Sequence, residues 1–374
     1  MFTVARSKRG PGHDFSRSPL LVFYELTRAC DLVCLHCRAC AQAAPAADEL
    51  SSGLSRRLVE QLADFPTPPL LVLTGGDPFK RPDLPDLVHH ATNLGMQVAV
   101  TPSATPLVTR DALARLWHAG LSRLAVSLDA PDAAGHDRFR GVAGSFDRTL
   151  EIIREARNLG LPVQVNTTLT PDNWQRIEEF ARLLDELQIT LWSVFFLVPV
   201  GRAAAMPRLN GQQVEEAFAR LWHEARRRSF PIKTTEAPHY RRFVAQQKGE
   251  DQNKVHVTPR HAYASLHTND GKGIMFIAHN GMIYPSGFLP IPAGTFPLDH
   301  VALVYQKSPL FRSLRDPNQL QGKCRACEFR KLCGGSRARA YAVTGNPLAE
   351  EPDCIYQPHG WGADQVQDQH GSAR

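Results

Sequence analysis

Between residues 20 and 221 the chain alternates short β-rich runs with stretches of helical periodicity, and this alternation limits the folds open to it. The runs cover 20–26, 70–74, 97–101, 123–128, 163–168 and 191–198. Between them apolar residues recur at helical spacing, as at Leu58/Leu62, Leu84/Leu87/Val88, Leu113/Leu116/Trp117, Leu150/Ile153, Ile177/Phe180/Leu184 and Val214/Phe218/Leu221. Pro82 and Pro171 stand near helix starts, and Gly95, Gly120 and Gly160 just after helix ends. Six strand–helix units predict an α/β fold with a parallel sheet and helices packed on it. Chemistry should then sit just after the strands, because parallel barrels work at the carboxyl ends of their strands.

The first of these ends carries Cys30, Cys34 and Cys37, a C-x3-C-x2-C loop soon after Leu26. Such a loop can bring three thiolates onto one iron–sulfur cube. A cube held this way keeps one iron without a protein ligand, and that iron can chelate a small molecule. Cys40 follows, and then no cysteine occurs until Cys324, Cys327, Cys333 and Cys354. A disulfide framework belongs to small secreted chains, and this one has 374 residues, so ligation is the better reading. Structural zinc is the alternative for the first group, with Cys40 as fourth ligand. Otherwise Cys40 is a bystander thiol or a small core residue.

Apolar residues make up 43% of the chain and charged residues 21%, as in ordinary globular proteins. No apolar stretch approaches the roughly 20 residues that span a bilayer. The longest, 194–200, is strand-sized and contains Pro199. The N-terminus lacks the order of a signal peptide. These features predict a cytoplasmic protein without a membrane partner. The net charge is +6, and basic residues thicken from Arg220 to Arg242, including Arg226-Arg227-Arg228. On an amphipathic helix this reads as a solvated face rather than a nucleic-acid site.

After the second run comes Gly75-Gly76-Asp77-Pro78, and the fourth ends in Ser127-Leu128-Asp129. The cysteine triad, its place near the N-terminus and the Gly-Gly-Asp turn together resemble the radical S-adenosylmethionine (SAM) enzymes. The resemblance implies a partial (β/α)6 TIM-like barrel and a SAM-binding [4Fe–4S] cluster on Cys30, Cys34 and Cys37. In that family the open iron holds the amino and carboxylate groups of SAM. An electron from the cluster cleaves SAM, and the 5′-deoxyadenosyl radical formed takes a hydrogen atom from substrate. The resemblance also assigns cofactor contacts. Gly75, Gly76 and Asp77 match a Gly-Gly-Glu motif that holds the SAM amino group, with Asp77 a shorter arm suited to shaping the loop. Ser127, with Asp129, faces the carboxylate or ribose. Arg148, early in the next helix, pairs with the carboxylate, and His36 packs near the adenine side. Asn166 and the 198–202 segment are further candidates, and the segment His136 to Gly141 reads as structural around the substrate side. For Ser127, Asp129 and Arg148 the bland reading stays open: two caps and a surface arginine.

From 231 to about 268 the pattern weakens, and Lys248 to Lys254 reads as a polar loop or linker. His279-Asn280-Gly281 between two apolar runs is a hairpin signal. The last cysteines are spaced C-x2-C-x5-C-x20-C, which suits a full [4Fe–4S] cube or an all-thiolate zinc site equally. Here the chain resembles the SPASM or shorter twitch extension of radical SAM enzymes. That implies one auxiliary [4Fe–4S] cluster on Cys324, Cys327, Cys333 and Cys354; some relatives carry a cysteine where Ser336 stands. The expected organisation is a barrel over 18–232, a linker over 233–268, the cysteine-rich domain over 269–358 and a polar, frayed tail over 359–374.

The 284–290 segment and the run from Cys333 to Ala342 look closest to the branch of alternative haem and haem d1 synthesis, with peptide-modifying relatives nearby. The resemblance therefore implies a carboxylate-bearing substrate, a tetrapyrrole side chain or a ribosomal peptide, and a reducing partner such as a flavodoxin or ferredoxin. Arg337 and Arg339 are candidates to receive substrate carboxylates or to pair with the cluster loop. The contrasting reading is a non-catalytic iron–sulfur scaffold or electron carrier, and a third is a zinc-stabilised fold. Formation of 5′-deoxyadenosine from SAM separates the first from the second, and iron and sulfide content excludes the third.

Overall fold

The computed structural model describes residues 13–250, 267–359 and 361. Six parallel strands follow one another as expected: β1 (Leu21–Glu25), β2 (Leu70–Thr74), β3 (Val98–Val100), β4 (Arg123–Ser127), β5 (Val163–Leu169) and β6 (Leu191–Phe196). Helices α1 (Ser52–Ala63), α2 (Leu84–Asn93), α3 (Arg110–His118), α4 (Ala133–Arg140), α5 (Ser145–Asn158) and α6 (Ile177–Glu186) connect them, and α7 (Gly211–Ala225) follows. Each helix buries one stripe against the sheet. In α1 the stripe is Ser55, Leu58, Val59 and Leu62, and full burial of each such leucine contributes about 1.5–3 kcal/mol. Local caps fix the starts. Ser51 Oγ accepts from Leu54 N–H, Thr109 Oγ1 from Ala112 N–H, and Asn210 and Gln213 form a reciprocal capping box on α7.

The sheet does not stop at residue 232. β7 (Ile232–Thr235) pairs parallel to β6, and helix α8 (Tyr240–Glu250) occupies the first residues expected to form a loop. The rest of that expected loop, and nearly all of the expected frayed tail, lie outside the described residues. At the other edge β8 (Ile274–Ile277) pairs parallel to β1, so the segment beginning at 269 contributes to the barrel sheet itself. β9 (Met282–Tyr284) and β10 (Gly294–Thr295) continue antiparallel. The order is β10-β9-β8-β1-β2-β3-β4-β5-β6-β7, with β7 and β10 as the two edges, so the barrel is partial and open. The hairpin between β8 and β9 turns at His279-Asn280-Gly281, where Gly281 has φ +87°. Beyond it come α9 (Val301–Lys307), α10 (Pro309–Arg315), α11 (Gly322–Ala326) and α12 (Arg337–Thr344), which frame the last cysteines.

The basic stretch is paired. Arg220 meets Glu178 at 2.9 Å and Arg228 meets Glu224 at 2.6 Å, while Arg242 pairs with Glu215. Among the described residues no helix is long and apolar enough to cross a membrane.

Candidate active site

The loop after β1 carries Cys30, Cys34 and Cys37 to the wall of one cavity of about 370 Å³ inside the barrel. Backbone bonds hold the loop: Cys30 N–H donates to Gln42 O (2.7 Å) and Gln42 N–H to Arg28 O (3.0 Å). Polar groups reach the sulfurs. Leu32 N is 3.4 Å from Cys30 Sγ, Ala41 N 3.4 Å from Cys37 Sγ, Ser103 Oγ 3.2 Å from Cys30 Sγ and Arg140 Nη1 3.6 Å from Cys34 Sγ. Donors so placed favour the thiolate. Burial pushes the Cys30 thiol the other way, and a bound metal centre is the cation that would reverse that preference. Cys40 is exposed, on a residue of φ +47°.

The Gly-Gly-Asp turn packs directly on this loop. Gly76 N–H donates to Thr27 O (2.8 Å) and Asp77 N–H to Ala29 O (2.7 Å). A Cβ at Gly75 would stand 2.4 Å from Thr27 O, and one at Gly76 2.3 Å from Ala29 O. Glycine is therefore required by backbone-to-backbone approach, while both residues also line the cavity. Asp77 does not line it. Its buried carboxylate accepts from Thr105 Oγ1 (2.6 Å) and Phe79 N–H (3.1 Å), so its assignment as a cofactor contact is corrected to shaping the loop.

Ser127 and Asn166 both line the cavity, at paired positions of β4 and β5. The row continues through Ser193 on β6 to Lys233 on β7. His36 lines the cavity and stacks on Phe139 with ring centroids 4.5 Å apart. Burial, opposed by Asp129, pulls His36 down to about 4, so its imidazole is neutral near pH 7. Its Nδ1 is buried without a partner among the described residues. Arg202, from the 198–202 segment, lines the same cavity with Nε and Nη2 buried and unpartnered among the described residues.

Two expected cofactor contacts lie elsewhere. Asp129 is buried beneath the cavity wall, where it pairs with Arg140 and accepts from Thr168 N–H (2.7 Å). Burial raises its carboxyl, but Arg140 and the two histidines His36 and His136 hold it below the usual carboxylate range. Arg148 does not enter the cavity: the Thr105 and Val108 carbonyls and Glu151 hold its guanidinium. The arginine that reaches the cysteines is Arg140, at the last turn of α4. In the sequence its segment reads as structural, because nothing local shows that α4 points back at the loop. Ser103, just after β3, was not anticipated at all; its place after a parallel strand is the signal that could have found it.

The Asp129–Arg140 pair suggests a test. Removing one partner of a buried pair leaves a charge without compensation, so Asp129→Ala should lower stability by about 3–5 kcal/mol. Chemical denaturation measures this, and a loss under 1 kcal/mol would show that Arg140 finds another partner.

The family model described as the radical SAM superfamily matches residues 24–184. AdoMet-dependent heme synthase from Methanosarcina barkeri is 36% identical over 345 residues, covering 92% of this chain and 98% of that one. This chain belongs to the radical SAM superfamily. PqqA peptide cyclase from Rhodopseudomonas palustris is 28% identical over 354 residues, covering 91% of this chain and 88% of that one. Among solved structures, Streptococcus suis SuiB bound to S-adenosylmethionine aligns at TM-score 0.70 with 17% identity, over 91% of this chain and 78% of that one, a likeness of fold. The protein is accordingly a radical SAM enzyme with a partial barrel, and the membership implies a [4Fe–4S] cluster and SAM. The cavity fits both. Its three sulfurs face one space, and buried nitrogens without partners among the described residues, on His36 and Arg202, line that same space.

In this radical SAM enzyme Cys324, Cys327, Cys333 and Cys354 line a second, small cavity together with His239, Arg242 and Lys323. Glu351 N lies 3.3 Å from Cys324 Sγ and Gly335 N 3.3 Å from Cys333 Sγ. Burial raises all four thiols, Cys327 to about 11, so a cationic centre is needed for four thiolates to coexist. Ser336 is turned away: its hydroxyl donates to Glu236 and accepts from Arg339 N–H. Among the described residues no three His, Cys, Asp or Glu side chains converge as they would on a single metal ion; each cysteine set surrounds a cavity. Arg337 and Arg339 are fully buried; Arg337 donates through Nη1 to the Pro347 and Ala349 carbonyls, its Nη2 having no partner among the described residues, and Arg339 pairs with Glu351 (2.7 Å) and Asp353 (3.1 Å). Of their two readings, the structural one holds.

Proposed function

We propose that this radical SAM enzyme takes a hydrogen atom from a carboxylate-bearing side chain of a tetrapyrrole, in haem-type biosynthesis. The observation that carries the reading is one continuous cavity that joins the sulfurs of Cys30, Cys34 and Cys37 to apolar barrel walls. Leu21, Phe23, Val72, Phe195, Phe276 and Phe288 line those walls, a surface suited to a flat apolar macrocycle. The near full-length similarity to a heme synthase supports the same class, and the weaker similarity to a peptide cyclase makes a ribosomal peptide the second reading.

Cys30, Cys34 and Cys37 would hold the [4Fe–4S] cluster. Bound there with SAM, it supplies reductive cleavage of the sulfonium and, from that, hydrogen-atom abstraction. The chain's own residues do the rest. Arg140 and Arg202 place positive charge at the sulfur end, where an amino-acid carboxylate can be received. Ser127 and Asn166 offer hydroxyl and amide groups to a ribose. Neutral His36 presents a flat ring at the wall, and the apolar walls keep water from the reacting side chain. Cys324, Cys327, Cys333 and Cys354 would hold one auxiliary [4Fe–4S] cluster with no vacant iron, suited to relaying an electron. A flavodoxin or ferredoxin would supply the first electron.

The experiment is anaerobic turnover of the cluster-loaded enzyme with SAM, reductant and iron coproporphyrin III. The expected result is 5′-deoxyadenosine together with a tetrapyrrole of changed mass. SAM cleavage with the tetrapyrrole unaltered would overturn the substrate class and favour the peptide reading. Intact clusters without any 5′-deoxyadenosine would overturn hydrogen abstraction itself.

A further inference from the structure

The cavity has a charged region on β4, β7 and α8. Arg123 opens β4, and Lys233 on β7 stands in register with Ser127 through Ser193 and Asn166. Both cations line the cavity, as does Arg241 of α8. The two arginines are tied in place: Arg123 donates to Gln164 Oε1 at 3.5 Å, and Arg241 to the carbonyls of Leu332 (3.3 Å) and Thr268 (2.6 Å). The Lys233 side chain forms no hydrogen bond or salt bridge among the described residues.

The acids nearby do not neutralise this group. Glu236 and Asp270 face one another at the same wall. Burial first, then the charge of Asp270, raises the Glu236 carboxyl well above its usual range. Three cations against two carboxyl groups leave the region positive, inside a barrel whose remaining wall is largely apolar. Burial, followed by Arg123 and Arg241 and opposed by Glu236, pulls the Lys233 ammonium down to about 8.

We infer that Lys233, supported by Arg123 and Arg241, anchors a carboxylate of the substrate on the β7 wall of the cavity. The inference rests on the tetrapyrrole reading. A macrocycle carrying several carboxylates can lodge one on Lys233 while presenting another side chain toward the sulfur end. The anchor would then set which side chain reacts. Lys233 escapes sequence reading because a lysine beside Pro231 and Ile232 looks like the start of a surface linker; only the pairing of β7 with β6 turns it inward.

The test measures binding of coproporphyrin III and of its tetramethyl ester to the cluster-loaded full chain, by absorbance titration. Wild type should favour the free acid, and Lys233→Gln should weaken free-acid binding about tenfold while leaving the ester nearly unchanged. Lys233→Arg, which keeps the charge, should stay within about threefold of wild type. If Lys233→Gln binds the free acid as wild type does, or weakens acid and ester alike, the anchor is overturned and the tetrapyrrole reading stands. If wild type binds neither porphyrin, the tetrapyrrole reading fails and the anchor with it.

Discussion

Cys34→Ala should reduce SAM cleavage to background. Cys34 is one of three sulfurs on the same cavity wall, and Arg140 Nη1 lies 3.6 Å from it. Without that sulfur a cube has only two protein ligands. The Arg140 guanidinium then keeps Asp129 but loses the thiolate it faces. Reductive assays should show no 5′-deoxyadenosine above the level without enzyme, and iron content should fall by about four per chain, the iron of one cube. The fold should survive, since Cys34 sits in a small apolar cluster with Cys30 and Leu32, apart from the main barrel core. A Cys34→Ala enzyme that cleaves SAM at the normal rate would remove this site from the mechanism.

Cys327→Ala should separate the two cysteine sets. Cys327 lines the second cavity, and none of that cavity's four cysteines lines the first. SAM cleavage should therefore persist in part, while turnover of the tetrapyrrole stops. The link between the sites is short in chain terms: Ser336 follows Cys333 closely, and its hydroxyl bonds to Glu236, which lines the barrel cavity. Arg339 bridges Glu351 and the Glu236 carbonyl beside it. If Cys327→Ala turns over substrate normally, the auxiliary-cluster assignment fails. If it loses SAM cleavage entirely, the second site is a folding element of the whole enzyme.

The residues legible from sequence were those whose role follows from local chemistry or position on one strand. Cys30, Cys34 and Cys37 announce themselves by spacing, Gly75, Gly76 and Ser127 by standing at or just after strand ends, and Asn166 as a polar residue within the fifth strand; all line the cavity. Arg148 shows where such reasoning fails. Its place in sequence matched the expected arginine, but a long side chain goes where its partners are, and the Thr105 and Val108 carbonyls took it. Asp77 takes the loop-shaping part of its expectation and Asp129 a structural one, because burial left each to satisfy neighbouring protein donors. Arg337 and Arg339 likewise spend their charge on Glu351, Asp353 and backbone carbonyls.

The sequence alone determined the order of strands β1 to β6, the stripes that cover them and the two cysteine sets, because periodicity and ligand spacing are properties of short segments. The tertiary structure alone decided that 232–235 and 274–277 extend the sheet, and that Arg140, Ser103 and Lys233 face the cavity. Strand pairing and the direction of a long side chain depend on residues far away in the chain. His279 Nδ1, 2.7 Å from Glu25 across 254 positions, is such a contact.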